Sequence, residues 1–597
     1  MKTFFASLGG AVIGSIVGLF LLFFVGMALI QYAINDAVQS ASGPETGQDD
    51  GNPIVLTLDL RTGYADQAPT TGPEVLFGGG TGFVDIITKL EAAVNDDQVK
   101  GVFIRASDFG VGSSRAGELR DVFHKFQDAD KFIVTHSQGS YGATSGYRAI
   151  AMSDEIWVQP GTTMIASGLA LETLFLKGLF DNLSITPEFE AFHEFKSAVN
   201  TFEEEDYTEA HRNNLTQLAE SIWSITLGDI ATDRGLPLAS VKSALESGPI
   251  SDTQMIELEL ATNSGWPEDA RDAALELAGD DSIDIDITSY TAPSSEFGSP
   301  VIAIVGGQGG IVTGGSGGSL FQEGSGFASD SIAAALLEAG RDDDVEAVIF
   351  RIDSPGGSPS ASDQIWRAVQ RIQEEEEKPV IVSMASVAAS GGYYAATGAD
   401  WIVANRSTIT GSIGIFGGKF AIEEGLARIG INAETIVVGG EFTGAFTTTR
   451  AFTDEQRAQF REFLKQGYDR FTTLVAEGRG LSAEEIDRVA RGRVWSGEDA
   501  LQVGLVDELG GLNTAIAKAR ELAGIEAGSD IRIKTYPMQS GGLPFLSASS
   551  SASAQELKAI GQLAQIVNDP EIQALITEVE AARTSKIQAR MPNLIER

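Results

Sequence analysis

Two kinds of apolar run alternate along most of the chain. Short runs rich in β-branched residues, "VKGVFIR" (Val99–Arg105), "KFIVTHS" (Lys131–Ser137) and "EIWVQ" (Glu155–Gln159), come first. A second set follows later: "VEAVIFRI" (Val345–Ile352), "KPVIVSMA" (Lys378–Ala385) and "WIVA" (Trp401–Ala404). Between the runs lie stretches with apolar positions at helical spacing, such as Ala116–Ala129 and Ala361–Glu377. A strand that is apolar at consecutive positions is buried on both faces, so the pattern predicts parallel sheets covered by helices, an α/β fold. The N-terminus departs from this pattern. Gly9–Ile30 is a nearly unbroken apolar run of 22 residues, and Thr3–Asn35 carries no charge. At about 1.5 Å per residue a helix of that length crosses roughly 30 Å of hydrocarbon. The run exceeds the roughly 7–15 apolar residues of a cleaved signal peptide, so an uncleaved anchor is expected. Lys2 before it and Asp36 after it place the N-terminus inside and the bulk of the chain outside the cytoplasm.

The alternation is written twice. "DDQVKGVFIR" (Asp96–Arg105) resembles "DDDVEAVIFR" (Asp342–Arg351), an offset of 246 residues. The same offset carries "YRAIAMSDEIWV" (Tyr147–Val158) onto "YYAATGADWIVA" (Tyr393–Ala404). Further on, "YTEAHR" (Tyr207–Arg212) matches "FTDEQR" (Phe452–Arg457) at an offset of 245. A register held over that distance predicts a duplicated α/β domain, with its boundary in the turn-rich stretch Asp280–Pro300. The expected division is 1–35 anchor, 36–52 linker, 53–290 first domain, 291–530 second domain, and 531–597 linker and helical tail. The Gly-rich segment Gly306–Gly326 lacks the GK[ST] ending of a phosphate loop and reads as a mobile loop.

Charge and composition narrow the chemistry. A formal net charge of −41 argues against nucleic acid as a partner and against attachment to anionic lipid through a basic patch. With no cysteine there are no disulfides and no thiol catalysis. The four histidines, His124, His136, His193 and His211, match no zinc-binding spacing, so no metal site is expected, and the chemistry of the candidate residues below requires no cofactor.

Candidate chemistry gathers at the ends of the second-copy strands. Ser390 follows "KPVIVSMA" and precedes the helix-like "GGYYAATGA". There it reads either as a helix cap or as a nucleophile beside free backbone N–H groups. "RIDSPGGSPSAS" (Arg351–Ser362) sets Gly356 and Gly357 just past a strand, where sites form in open parallel sheets. The N–H of Gly356 or Gly357, together with that of Gly391, would make an oxyanion hole. A base is missing nearby, but "HEFKSAVNTF" in the first copy holds Lys196 among small and apolar residues. A desolvated lysine loses its proton more easily and serves as a base; the alternative is an ordinary surface lysine. The duplication relates these residues. Ser390 corresponds to Thr144, Gly357 to Val111, Ser412 to Ala166, and Lys196 to Thr443. One copy retains the serine and glycines and the other the lysine, as a single shared site would leave them.

"YYAATGADWIVANRSTITGSIGIFG" with the preceding "AASGG", "DSPGGS" and "FKSA" resembles the long, duplicated form of the signal peptide peptidase A family of Ser/Lys proteases. The resemblance spans roughly residues 53–530. It implies tandem Clp protease/crotonase-like domains behind an N-terminal transmembrane helix. It implies Ser390 as nucleophile, Lys196 as general base and Ser412 as the residue that orients the lysine. The implied substrates are remnant signal peptides, and the implied assembly is a homotetramer on the extracytoplasmic side of the bacterial inner membrane, anchored in the lipid bilayer. In that family serine and lysine meet across a protomer boundary. The lysine motif departs from the family's Tyr-Lys-Ser-Ala and Glu-Pro-Phe, reading Phe195-Lys196-Ser197-Ala198 and then Asn200-Thr201-Phe202. Two rival readings are a crotonase-type acyl-CoA enzyme and a non-catalytic membrane scaffold.

Overall fold

The computed structural model describes residues 48, 51–68, 81–107, 111–165, 167–293, 298–315, 327–526 and 528–537. The apolar run Gly9–Ile30, the Ser/Ala-rich tail from Ser547, residues 316–326 of the Gly-rich segment and Ala166 lie outside them. Among the described residues no helix is long and apolar enough to cross a membrane.

Two sheets form from the two copies. The first takes strands β1 (Ile54–Asp59), β2 (Val99–Ala106), β3 (Phe132–Ser137), β4 (Glu155–Val158), β6 (Asn263–Ser264) and β7 (Ile283–Asp286), in the order β7-β1-β2-β3-β4-β6. β5 (Thr186–Phe192) stands apart from it. The second takes β8 (Val301–Gln308), β9 (Val345–Ser354), β10 (Val380–Ala389), β11 (Trp401–Ala404), β15 (Glu508–Leu509) and β16 (Arg532–Tyr536), in the matching order β16-β8-β9-β10-β11-β15. All of these pairs are parallel. The second sheet adds β12 (Ile409–Gly411) along the far end of β10, and β14 (Val494–Ser496) pairs antiparallel with β12.

The duplication reaches single hydrogen bonds. Tyr147 Oη donates to Leu260 O, and its equivalent Tyr393 donates to Leu505 O. Asp154 accepts from Ile133 N, and its equivalent Asp400 from Val380 N. Two expectations change. Arg532–Tyr536, placed with the tail, is an edge strand of the second sheet, because β8 needs the same flanking partner that β7 gives β1. Gly306–Gln308, placed in a loop, completes β8.

The main helices are α1 (Phe83–Val94), α2 (Ser113–Asp128), α3 (Thr144–Arg148), α4 (Glu209–Asp233), α5 (Pro267–Ala278), α6 (Ser329–Arg341), α7 (Pro359–Glu375), α8 (Gly391–Ala396), α9 (Asp454–Arg479) and α10 (Leu512–Leu522). The second-copy strands bury both faces, which explains their unbroken apolar runs. Val301, Ala303 and Val305 enter one core with α6 and α7. Ile302 and Ile304 enter another, shared with the first sheet, α1, α2 and α10. The two copies therefore share a core.

Candidate active site

Lys196 reaches the second copy through a strand pair drawn from both halves. β5 runs antiparallel to β13 (Ile415–Ala421), with Phe192 opposite Ile415. The chain then turns at His193, whose carbonyl accepts the Lys196 N–H at 3.1 Å. Gly492 lies against this turn. A Cβ there would come within 2.3 Å of Lys196 N, and its φ of +86° suits glycine alone.

The lysine side chain ends among three oxygens. Nζ lies 2.9 Å from Ser390 Oγ, 2.9 Å from Ser412 O and 2.9 Å from Ser412 Oγ. Lys196 is 5% exposed, and no carboxylate is paired with it among the described residues. Burial without a counter-charge disfavours the ammonium and lowers its pKa to about 7. A neutral amine fits these oxygens completely. Its two N–H groups donate to Ser412, and its lone pair accepts the Ser390 O–H.

Ser390 sits at the turn from β10 into α8 with φ +53° and ψ −118°, a strained backbone for a residue with a Cβ. Its N–H donates to Gly411 O at 2.8 Å, and its carbonyl accepts from Tyr394 N at 2.9 Å, which pins the turn on both sides. The side chain makes no capping hydrogen bond to α8. The helix-cap reading therefore fails, and the hydroxyl is directed at the lysine instead. Ser412 is also at positive φ, +51°, with its N–H donated to Arg493 O at 2.7 Å.

The glycines separate by role. Gly356 packs so closely that a Cβ would lie 2.6 Å from Gly391 N and 2.8 Å from Ser390 Cβ. Its own N–H is taken by Ser354 Oγ at 3.1 Å, so it is not a free donor. The N–H groups of Gly357 and Gly391 make no hydrogen bond among the described residues. Of the two expected combinations, only Gly357 with Gly391 leaves both donors open beside Ser390.

A family comparison fits this arrangement. The model of peptidase family S49 matches residues 125–280 and again 372–526, once in each copy. The chain belongs to peptidase family S49. Protease 4 of Haemophilus influenzae is 32% identical over 471 residues, covering 73% of this chain and 72% of that protein. Protease 4 of Salmonella typhi is 29% identical, covering 84% and 83%, and the chloroplastic serine protease SPPA of Arabidopsis thaliana 27%, covering 91% and 78%. A ClpP1 mutant from Listeria monocytogenes superposes on 34% of the chain at 19% identity with a TM-score of 0.22, too loose to define a common fold.

This S49 peptidase brings all six expected residues to one place, and within one chain rather than across a protomer boundary. Sequence reasoning missed the polar contacts that join the halves. The fully buried Arg351 guanidinium binds Asp66 at 2.8 and 3.1 Å, Glu118 at 2.8 and 3.1 Å, and Ser383 Oγ at 2.9 Å. Asp66 and Glu118 belong to the first copy. Arg351 lies on β9, a short step before Gly356. From the same α2 turn, Arg115 lies 3.5 Å from Asp353. The match of Arg105 with Arg351 marked the arginine, but nothing in the linear pattern marks its partners.

Proposed function

We propose that the chain is a serine endopeptidase with a Ser390/Lys196 dyad that degrades signal peptides after their release, through an acyl-enzyme. The observation that carries this reading is the buried, uncompensated Lys196 amine 2.9 Å from Ser390 Oγ. In the first step neutral Lys196 takes the Ser390 proton as Oγ attacks the scissile carbonyl. The N–H groups of Gly357 and Gly391 stabilise the oxyanion, and Ser412 holds the amine on course. Lys196 then gives its proton to the leaving amine, which departs as the acyl-enzyme forms. A water, deprotonated by the same amine, attacks the ester, and Ser390 recovers its proton as the peptide acid leaves.

The names of the relatives support a protease, and the likeness to signal peptide peptidases supports apolar peptides as substrates. The proposal extends to an anchor at Gly9–Ile30, supported by that run's length and flanking charges. The catalytic halves then lie on the outer face of the bacterial inner membrane. It also includes a homotetramer. In its support, Ile436 and Val438 are 94% and 86% exposed, apolar surface that neighbouring copies would cover.

The test is hydrolysis of a hydrophobic peptide by the Ser390→Ala and Lys196→Ala variants, with labelling by an acyl phosphonate. Both variants should lose activity, and the label should be absent from Ser390→Ala. Wild-type turnover by either correctly folded variant rules the dyad out. Unchanged labelling of Ser390→Ala shows that another residue is the nucleophile.

A further inference from the structure

Beside the lysine turn lies a cleft of about 680 Å³, bordered by His193, Phe195, Lys196, Asn200, Thr208 and Arg493. Arg493 is unusual there. Its guanidinium carbon lies 3.9 Å from the centre of the Phe195 ring and 5.4 Å from that of Trp495. Its Nε is buried with no partner, and its guanidinium makes no ion pair among the described residues. The neighbouring Arg491, by contrast, is engaged by Glu194 and Asp487. In a chain with 83 acidic and 42 basic residues, a stacked guanidinium that neither of the cleft's two acids, Glu194 and Glu209, pairs with is an open binding position.

We propose that this cleft is a carboxylate-binding subsite in which Arg493 holds a carboxylate of the bound peptide. The inference rests on the peptidase reading and narrows its substrate class. A planar guanidinium offers paired N–H donors that match a carboxylate. Stacking on Phe195 and Trp495 fixes the plane of that donor set. The backbone couples it to the dyad: Arg493 O accepts the Ser412 N–H, and Gly492 lies against Lys196. The cleft's own acids leave the position open, because Glu194 and Glu209 are exposed and Glu194 is paired with Arg491. A peptide released by an earlier cut carries a new α-carboxylate, which the interior of an intact chain lacks. An acidic side chain offers the same chemistry. The subsite thus selects released or acidic peptides over neutral internal segments.

The test uses the full-length Ser390→Ala protein and three fluorescent Leu/Ala-rich peptides of one sequence. One ends in a free carboxylate and one in an amide; the third has the amide and a penultimate Glu. Binding is read by anisotropy. The free acid should bind about tenfold or more tightly than the amide. Adding Arg493→Met should bring that ratio close to one, with Arg493→Lys retaining part of it. If the Glu peptide matches the acid, side-chain carboxylates are accepted too; if it matches the amide, the subsite is specific for the chain terminus. Equal binding of acid and amide overturns the proposal without any Arg493 variant, and so does an unchanged ratio in Arg493→Met. Hydrolysis of the same peptides by the wild type is scored separately. An acid preference without hydrolysis sinks the peptidase reading and leaves the subsite standing.

Discussion

Lys196 carries the largest electrostatic cost of any single residue in the site. Its pKa falls from 10.5 unfolded to about 7 folded, through burial. Between those values the unfolded chain binds a proton that the folded chain does not, so stability rises with pH across that window. Below pH 7 both states are protonated and the folded state bears the full cost of a buried ammonium, on the order of a few kcal/mol. Lys196→Met should therefore stabilise the fold most below pH 7, with the gain fading as pH approaches 10.5; urea unfolding at pH 6 and pH 9 measures it. A variant equally stabilised at both values would contradict an uncompensated buried charge. Under the proposed dyad the same titration sets the rate: kcat/KM should climb between pH 6 and 8 with a midpoint near 7, as the amine becomes neutral. Ser412→Ala removes one of the two acceptors that hold Nζ and leaves the carbonyl. A loss of about tenfold in kcat, with KM little changed, is expected for a positioning contact. Ser390 and Lys196 stood out in the sequence because the two copies lost complementary residues, and Ser412 through the family resemblance. The division among the glycines did not, because the direction of an N–H is set by backbone torsions. The preceding torsions turn the Gly356 N–H back onto Ser354 Oγ and leave those of Gly357 and Gly391 open.

At the scale of elements, the strand runs predicted the sheets well, because burial on both faces leaves a local signature in composition. The β5–β13 pair left none. It joins residues more than two hundred positions apart, and each strand alone is short and half-polar. The grip of α2 on β9 was equally hidden. Arg351 pairs with two carboxylates of the other copy, and such a cluster is recognisable only once the copies are packed together. Its energetics are nonetheless clear. Arg351→Met leaves Asp66 and Glu118 buried and unpaired, which should cost about 3–5 kcal/mol. Calorimetry should show a large drop in melting temperature, together with reduced activity, because β9 leads directly into the glycine loop. Removing a single carboxylate by Glu118→Gln should cost less, since Asp66 remains paired in bidentate geometry. A melting temperature for Arg351→Met within error of the wild type would mean that the cluster is not what joins the halves.

Across the whole molecule, duplication has produced two matching sheets and one assembled site. The first-copy equivalent of Ser390, Thr144, is buried at the start of α3. The cation on that helix is Arg148, bound to Asp229 at 2.8 Å and always charged, so it cannot serve as a base. Thr144→Ser in a Ser390→Ala background should accordingly restore neither hydrolysis nor phosphonate labelling. The single site also fixes how copies can cooperate. The family resemblance implies a dyad shared between protomers, yet Lys196 and Ser390 are 2.9 Å apart within one chain, delivered by a strand pair whose two partners belong to that chain. Co-expression of the Ser390→Ala and Lys196→Ala chains separates the two arrangements. A dyad built across protomers would regain wild-type pairs in mixed assemblies. A dyad within the chain gives none, because every Ser390 then faces an alanine at position 196 and every Lys196 an alanine at position 390. Mixed assemblies, purified through two different tags so that both chains are present, should remain as inactive as either variant alone. Recovery of peptide hydrolysis in them would show that the strand pair is exchanged between copies.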